Sequence, residues 1–157
     1  MPIRIGTIAT ILLLWGLLTP GADPAAAAGG KPVITKGGGT ETFADDLFLD
    51  LCGIATNTTL TEKWTLKEFP DGSETLHVVR TFVPDDPRLP IEKAAGTSFT
   101  APDGSRRVVG KPIHLIGPGG VRILDAGWVL FDPAGEIVDV RGPHPALGVD
   151  LADYYCP

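Results

Sequence analysis

Four short segments of one form, a proline followed two residues later by a glycine, recur between residues 70 and 135. They are Pro70-Asp71-Gly72, Pro102-Asp103-Gly104, Pro118-Gly119-Gly120 and Pro133-Ala134-Gly135. Proline presets φ for the second position of a β-turn, and glycine accepts the left-handed conformation that closes it. Each segment lies between stretches rich in β-branched and aromatic residues, so each predicts a hairpin turn. With 20 glycines and 15 prolines in 157 residues, a helical bundle is excluded, because both residues are costly in helix interiors.

These turns divide the chain into six predicted strands, 54–69, 74–83, 91–100, 105–116, 121–131 and 136–141. A link containing three prolines, residues 84–90, separates the second strand from the third, and proline excludes a regular ladder there. We therefore predict an all-β fold, an antiparallel meander of about six to eight strands that closes as a small barrel or sandwich, because closure removes unpaired edges. The strand 121–131 is apolar on both faces, which predicts a central, doubly covered position.

The first 28 residues have the order of a signal peptide. Arg4 precedes an uncharged apolar run, helix breakers follow, and Ala25 to Ala28 supply the small residues of a cleavage site. We predict cleavage after Ala27 or Ala28 and a secreted protein, extracellular or in the cell-envelope space, that meets the membrane only transiently through its leader. A retained membrane anchor is the alternative. Residues 29–42 are predicted to be a flexible Gly-rich tail, and residues 43–157 a single β-rich domain.

Cys52 and Cys156 are the two cysteines of the chain. Export would place them in an oxidising compartment, where an even number of cysteines usually pairs. We predict a disulfide that ties the start of the folded domain to its last residues. Two free buried thiols are the alternative.

Charge and motifs exclude several function classes. The net charge is −6 and the sequence contains no Lys/Arg run, so nucleic acid is not an expected partner. No zinc-binding, serine hydrolase or phosphate-loop motif is present, so we assign no catalytic residue, no metal ligand and no cofactor. His144 lies between Pro143 and Pro145, which predicts an exposed loop.

Five residues are candidate ligand contacts, because they would add aromatic or polar groups to a β cavity: Trp64, His77, His114, Asp125 and Trp128. Asp125 interrupts an apolar strand. It would be either a polar contact inside a cavity or a paired or edge-facing carboxylate near Gly127, and the second interpretation is favoured because buried acids are usually paired for structural reasons.

Several short segments resemble those of small secreted β-rich proteins of actinobacteria. They are DLCG at 50–53, GTSFTAPDG at 96–104, VLFDPAGEI at 129–137 and the cysteine near the C-terminus. The resemblance implies an exported β domain bracketed by two cysteines. It carries no catalytic residues.

The sequence thus predicts an extracellular binding or interaction module, with an extracellular partner or an apolar small molecule as its ligand. One alternative is an isomerase or cyclase on a small barrel that uses His77, His114 and Asp125. Another is a structural protein associated with the cell envelope.

Overall fold

The computed structural model describes residues 30–157, which form seven strands and two helices. In chain order these are β1 (Val33–Ala44), α1 (Asp46–Cys52), β2 (Asn57–Glu68), β3 (Glu74–Pro84), β4 (Ile91–Thr100), β5 (Arg106–Gly117), β6 (Gly120–Phe131), β7 (Ile137–Arg141) and α2 (Ala152–Tyr155). The predicted signal peptide, with its cleavage positions Ala27 and Ala28, lies outside the described residues. Among residues 30–157, no helix is long and apolar enough to cross a membrane.

The seven strands form one antiparallel sheet in which each strand pairs with its neighbours in the chain. The prediction of an all-β meander is confirmed, and the six predicted strands correspond to β2–β7. The Pro-x-Gly turns connect them as expected. Gly72, Gly104 and Gly135 have φ values of +82°, +88° and +87°, a left-handed conformation that glycine adopts without steric cost.

The prediction that the meander closes into a barrel is wrong. Strands β1 and β7 lie at the two ends of the sheet and do not pair with each other. All described strands belong to this one sheet, so a sandwich of two sheets is not seen among them. The prediction of a central position for the strand 121–131 is also wrong, because this strand is β6 and lies next to the edge strand β7. Closure is not needed for a core, because the two helices supply the apolar surface that packs on the sheet.

Residues 29–42, predicted to be a flexible tail, contain most of β1. This strand pairs with β2 along its whole length, from Val33 opposite Glu68 to Ala44 opposite Asn57. Its glycines do not prevent pairing, because the Trp64 ring lies directly over Gly37, where a Cβ would collide with it. An aromatic side chain that covers a glycine of the neighbouring strand supplies the side-chain contacts that the glycine itself cannot make.

The core lies at one end of the sheet, between the two helices and the ends of β5 and β6. Its buried members are Phe48, Leu89, Leu115, Ile123, Ala146 and Tyr155. Helix α1 begins after Asp45, whose carboxylate accepts hydrogen bonds from the first-turn amides. The predicted disulfide is confirmed: Cys52, at the end of α1, is bonded to Cys156, directly after α2. It therefore fixes the two helices of the core to each other.

The register gives the sheet two distinct faces. The covered face carries Leu115 and Ile123, which pack in the core with the helices. The open face is the opposite one. One row of cross-strand neighbours on the open face runs through all seven strands: Lys36, Thr65, His77, Thr97, Val109, Trp128 and Arg141.

Candidate functional site

The five candidate ligand contacts do not come together, because they are divided between the two faces of the sheet. His77 and Trp128 lie in the same row of the open face, with β4 and β5 between them. His114 pairs with Leu124 on the same face. Trp64 and Asp125 lie on the covered face. Among residues 30–157, no three His, Cys, Asp or Glu side chains are grouped so that they could hold a metal ion.

Asp125 is held by a structural partner. Its Oδ2 atom lies 3.2 Å from Nδ1 of His144, and the two side chains are 6 % and 4 % exposed. The interpretation of Asp125 as a paired carboxylate near Gly127 is therefore confirmed. The prediction that His144 lies in an exposed loop is wrong, because the segment after β7 folds back and buries the imidazole against β6.

Trp64 lines two depressions along the β1–β2 pair, beside Gly37, Gly38 and Gly39. The missing side chains of the three glycines create this space. Both depressions are open to solvent, and the larger has a volume of about 700 Å³. An open depression leaves much of a bound apolar molecule in contact with water, so it lacks the enclosure that apolar ligands require.

The open face carries an unbalanced set of charges. Seven exposed cationic residues project from it, and they come from five of the seven strands: Lys36, Lys63, Lys67, Lys93, Arg107, Lys111 and Arg141. Asp139, opposite Leu130, is the one acidic residue that the paired positions place there. Of the seven cations, Arg141 is the one in an ion pair within residues 30–157, at 3.7 Å from Asp139.

The covered face has the opposite balance. Its acidic residues are Glu41, Glu62, Glu68, Glu74, Glu92 and Asp125, and its basic residues are Arg80, Arg106 and Arg122. Arg80 donates a hydrogen bond to Glu62 at 2.9 Å. A chain with a net charge of −6 thus presents a strongly cationic surface on one side of its sheet.

The sequence hides this surface because opposite charges are adjacent along the chain. Glu62-Lys63, Lys67-Glu68 and Glu92-Lys93 each cancel in any linear window. In a strand, successive side chains point to opposite faces, so each pair sends its lysine to the open face and its glutamate to the covered face. The absence of a Lys/Arg run in the sequence therefore does not exclude a cationic surface on the folded chain.

Hydroxyl and aromatic groups lie among the cations. Eight threonines project from the open face: Thr40, Thr42, Thr59, Thr61, Thr65, Thr75, Thr81 and Thr97. Two guanidinium groups lie over aromatic rings, Arg107 at 5.2 Å from the Phe99 centroid and Arg141 at 5.9 Å from that of Trp128. Neighbouring strands are about 4.8 Å apart, so the row from Lys36 to Arg141 spans roughly 29 Å.

No family model, curated protein or solved structure matches this chain. The resemblance to small secreted actinobacterial proteins therefore stays a prediction. The candidate functional site is the open face, where cations, hydroxyls and two aromatic rings share one surface.

Proposed function

We propose that the protein is an exported binding module whose open face binds an acidic polysaccharide. The observation that supports this proposal is the set of seven exposed cations and one acid on a single sheet face. Like charges repel one another, so concentrating them on one face disfavours the free protein and favours a polyanionic ligand.

The groups between the cations favour a polysaccharide over other polyanions. Lysine and arginine suit carboxylate or sulfate groups. Threonine hydroxyls both donate and accept hydrogen bonds, which matches the many hydroxyls of a sugar chain. The Trp128 ring lies in the row from Lys36 to Arg141, beside the Arg141 guanidinium, and it adds an apolar surface that can contact the face of a sugar ring. A phosphate-rich partner would use the cations and leave most of the hydroxyls without a counterpart.

The other functions that the sequence suggested have less support. A carrier of apolar ligands needs an enclosed cavity, and the depressions beside Trp64 are open. An isomerase or cyclase would need His77, His114 and Asp125 within reach of one substrate. The sheet places the two histidines on the open face and Asp125 on the other, against His144.

Export is part of the proposal and has two sources of support. The first is the signal-peptide pattern of residues 1–28. The second is the Cys52–Cys156 disulfide, a bond typical of oxidising compartments. Outside the cell, acidic polysaccharides are abundant and nucleic acid is scarce, in keeping with the expectation that nucleic acid is not the partner.

The test is calorimetric titration of the mature protein with polygalacturonate at several salt concentrations. The double variant Lys63→Gln/Lys111→Gln removes two cations from one row of the open face. A cation near an anionic surface contributes about 1 kcal/mol, so binding should weaken roughly 10- to 30-fold and depend less on salt. The matched control is Lys31→Gln, an exposed lysine that precedes β1, and its effect should stay below about twofold.

Neutral dextran, duplex DNA and phosphatidylglycerol vesicles complete the experiment. The proposal expects tighter binding to polygalacturonate than to any of these at the same salt concentration. Tighter binding to DNA or to vesicles would assign the open face to phosphate and overturn the polysaccharide proposal. Equal losses in the Lys31 variant and the open-face variant would show that net charge, rather than this face, drives binding.

A further inference from the structure

Strand β1 leaves one long edge of the sheet unpaired. It pairs with β2 on one side, and eleven of its twelve residues are exposed. The β1–β2 register has no bulge, and the strand contains no proline. Bulges, prolines, short length and charged side chains are devices by which edge strands avoid pairing with another chain. Of these, strand β1 has only two charged residues, Lys36 and Glu41.

The opposite edge of the sheet is protected. Strand β7 has five residues, and its pairing with β6 contains a register shift next to Phe131. Directly after β7, Gly142 has a φ of +106° and Pro143 follows, so the chain leaves the sheet there. The two edges therefore differ: β7 is blunted, and β1 is open to pairing.

We propose that β1 pairs antiparallel with β1 of a second copy, about a two-fold axis through Gly38. A two-fold axis perpendicular to the sheet leaves the open faces of both copies on the same side. The allowed registers are therefore those in which each residue lies opposite a residue of the same face. With Gly38 at the axis, Lys36 lies opposite Thr40 of the second copy, and Thr35 lies opposite Glu41. Strand β1 contains two charged residues, Lys36 and Glu41, and in this register neither of them faces a residue of like charge.

The same register brings apolar side chains together. Val33 and Phe43 are exposed by 64 % and 38 %, and they face each other at both ends of the paired span 33–43. At the centre Gly37, Gly38 and Gly39 present no side chain to the partner, so the backbones can approach closely. This register therefore suits a second copy, because apolar side chains meet at both ends and no like charges meet between them.

The product is one sheet of fourteen strands in which the two open faces lie side by side. The cationic residues on the two copies then form one surface of twice the length. A long polyanion that contacts both halves would be held more tightly than by one half, because the second contact is intramolecular. The pairing itself depends only on β1 and is independent of the ligand.

The first test is analytical ultracentrifugation of the mature protein and of three variants. Thr40→Lys places a lysine opposite Lys36 of the second copy, and like charges directly opposite destabilise a strand pair. Because the contact occurs twice, the dimer should dissociate roughly tenfold more readily. Thr40→Glu places opposite charges there and should tighten the dimer. The matched control is Thr61→Lys, since Thr61 is the hydrogen-bond partner of Thr40 and lies inside the sheet. Its effect should be small.

The second test is cross-linking. The variant Lys36→Cys/Thr40→Cys should give a covalent dimer on oxidation, because opposed Cβ atoms of paired strands lie about 5 Å apart, close to disulfide geometry. The Thr40→Cys variant alone should give none, since in this register its cysteine faces Lys36. A wild-type protein that stays monomeric at millimolar concentration overturns the proposal. Equal responses to Thr40→Lys and Thr40→Glu, or growth into long oligomers through β1–β7 pairing, would overturn it as well.

Discussion

His144 contacts a hydrogen-bond acceptor with each of its two ring nitrogens. Nδ1 lies 3.2 Å from Oδ2 of Asp125, and Nε2 lies 3.1 Å from the carbonyl oxygen of Arg141. A carbonyl oxygen only accepts hydrogen bonds, so Nε2 donates to Arg141. The imidazole therefore joins the segment after β7 to strand β6.

We expect replacement of His144 to be costly. His144→Ala leaves the buried Asp125 carboxyl without its hydrogen-bond partner, and a buried polar group left unsatisfied costs about 1–3 kcal/mol. Urea denaturation measures the loss. The matched control is Asp139→Asn, which breaks the exposed Arg141–Asp139 pair and should change the free energy of unfolding by less than about 0.5 kcal/mol. Equal losses in both variants would contradict the role assigned to His144.

The strands were predictable because local sequence specifies them. Proline and glycine mark most of the turns, and the residues between successive turns have a strong preference for extended structure. The disulfide was predictable from the even number of cysteines together with the predicted signal peptide. These inferences need no knowledge of which residues meet across the sheet.

The open face could not be predicted, because it depends on register. Lys36 and Arg141 are 105 positions apart in the chain and lie in one row only because seven strands pair in order. Strand β1 was missed for a related reason. Its three consecutive glycines have no intrinsic preference for a strand, and the ring of Trp64 that covers Gly37 belongs to the neighbouring strand.

The Cys52–Cys156 bond should stabilise the fold strongly. It joins positions 104 residues apart, and a bond that closes a loop of this length is worth about 2–5 kcal/mol. We expect Cys52→Ala/Cys156→Ala to lower the free energy of unfolding by that amount, measured with urea at neutral pH. Wild-type protein unfolded in the presence of a reductant provides the control and should match the variant. A loss below about 1 kcal/mol would show that the contacts between α1 and α2 hold the two helices together without the bond.

Glu92 should make stability depend on pH. Burial raises the pKa of its carboxyl above the ordinary value of 4.5, although a hydrogen bond from Tyr155 works in the opposite direction. The Tyr155 hydroxyl donates this bond at 2.7 Å. Since the pKa is higher in the folded state, the stability that Glu92 contributes is complete below pH 4.5 and is lost as pH rises through the folded value.

The variant Glu92→Gln measures this contribution. Glutamine can still accept the Tyr155 hydrogen bond and does not titrate. The difference in unfolding free energy between the variant and the wild type should therefore shift in favour of the variant between pH 4 and pH 7. Glu74→Gln, on an exposed residue of the same face, is the control and should show no such trend. Parallel pH profiles for Glu92→Gln and the wild type would exclude the effect.

A line of glycines across the covered face should be intolerant of side chains. Gly96, Gly110 and Gly127 are cross-strand neighbours on β4, β5 and β6. A Cβ at Gly110 would lie 2.6 Å from the Cα of Gly96 and would collide with the Ala95 carbonyl oxygen, and its φ is +146°. Both the collision and the conformation disfavour any other residue.

We expect Gly110→Ala to lower the free energy of unfolding by about 2–4 kcal/mol, as the sum of backbone strain and overpacking. Gly39→Ala is the matched control. Gly39 is also a strand glycine on the covered face, a Cβ there meets nothing within 4 Å, and its replacement should change stability by less than about 1 kcal/mol. Thermal and urea unfolding measure both variants. If Gly110→Ala were as stable as Gly39→Ala, β4 and β5 would have to separate at this level without cost, and the close approach of their backbones would not be a requirement of the fold.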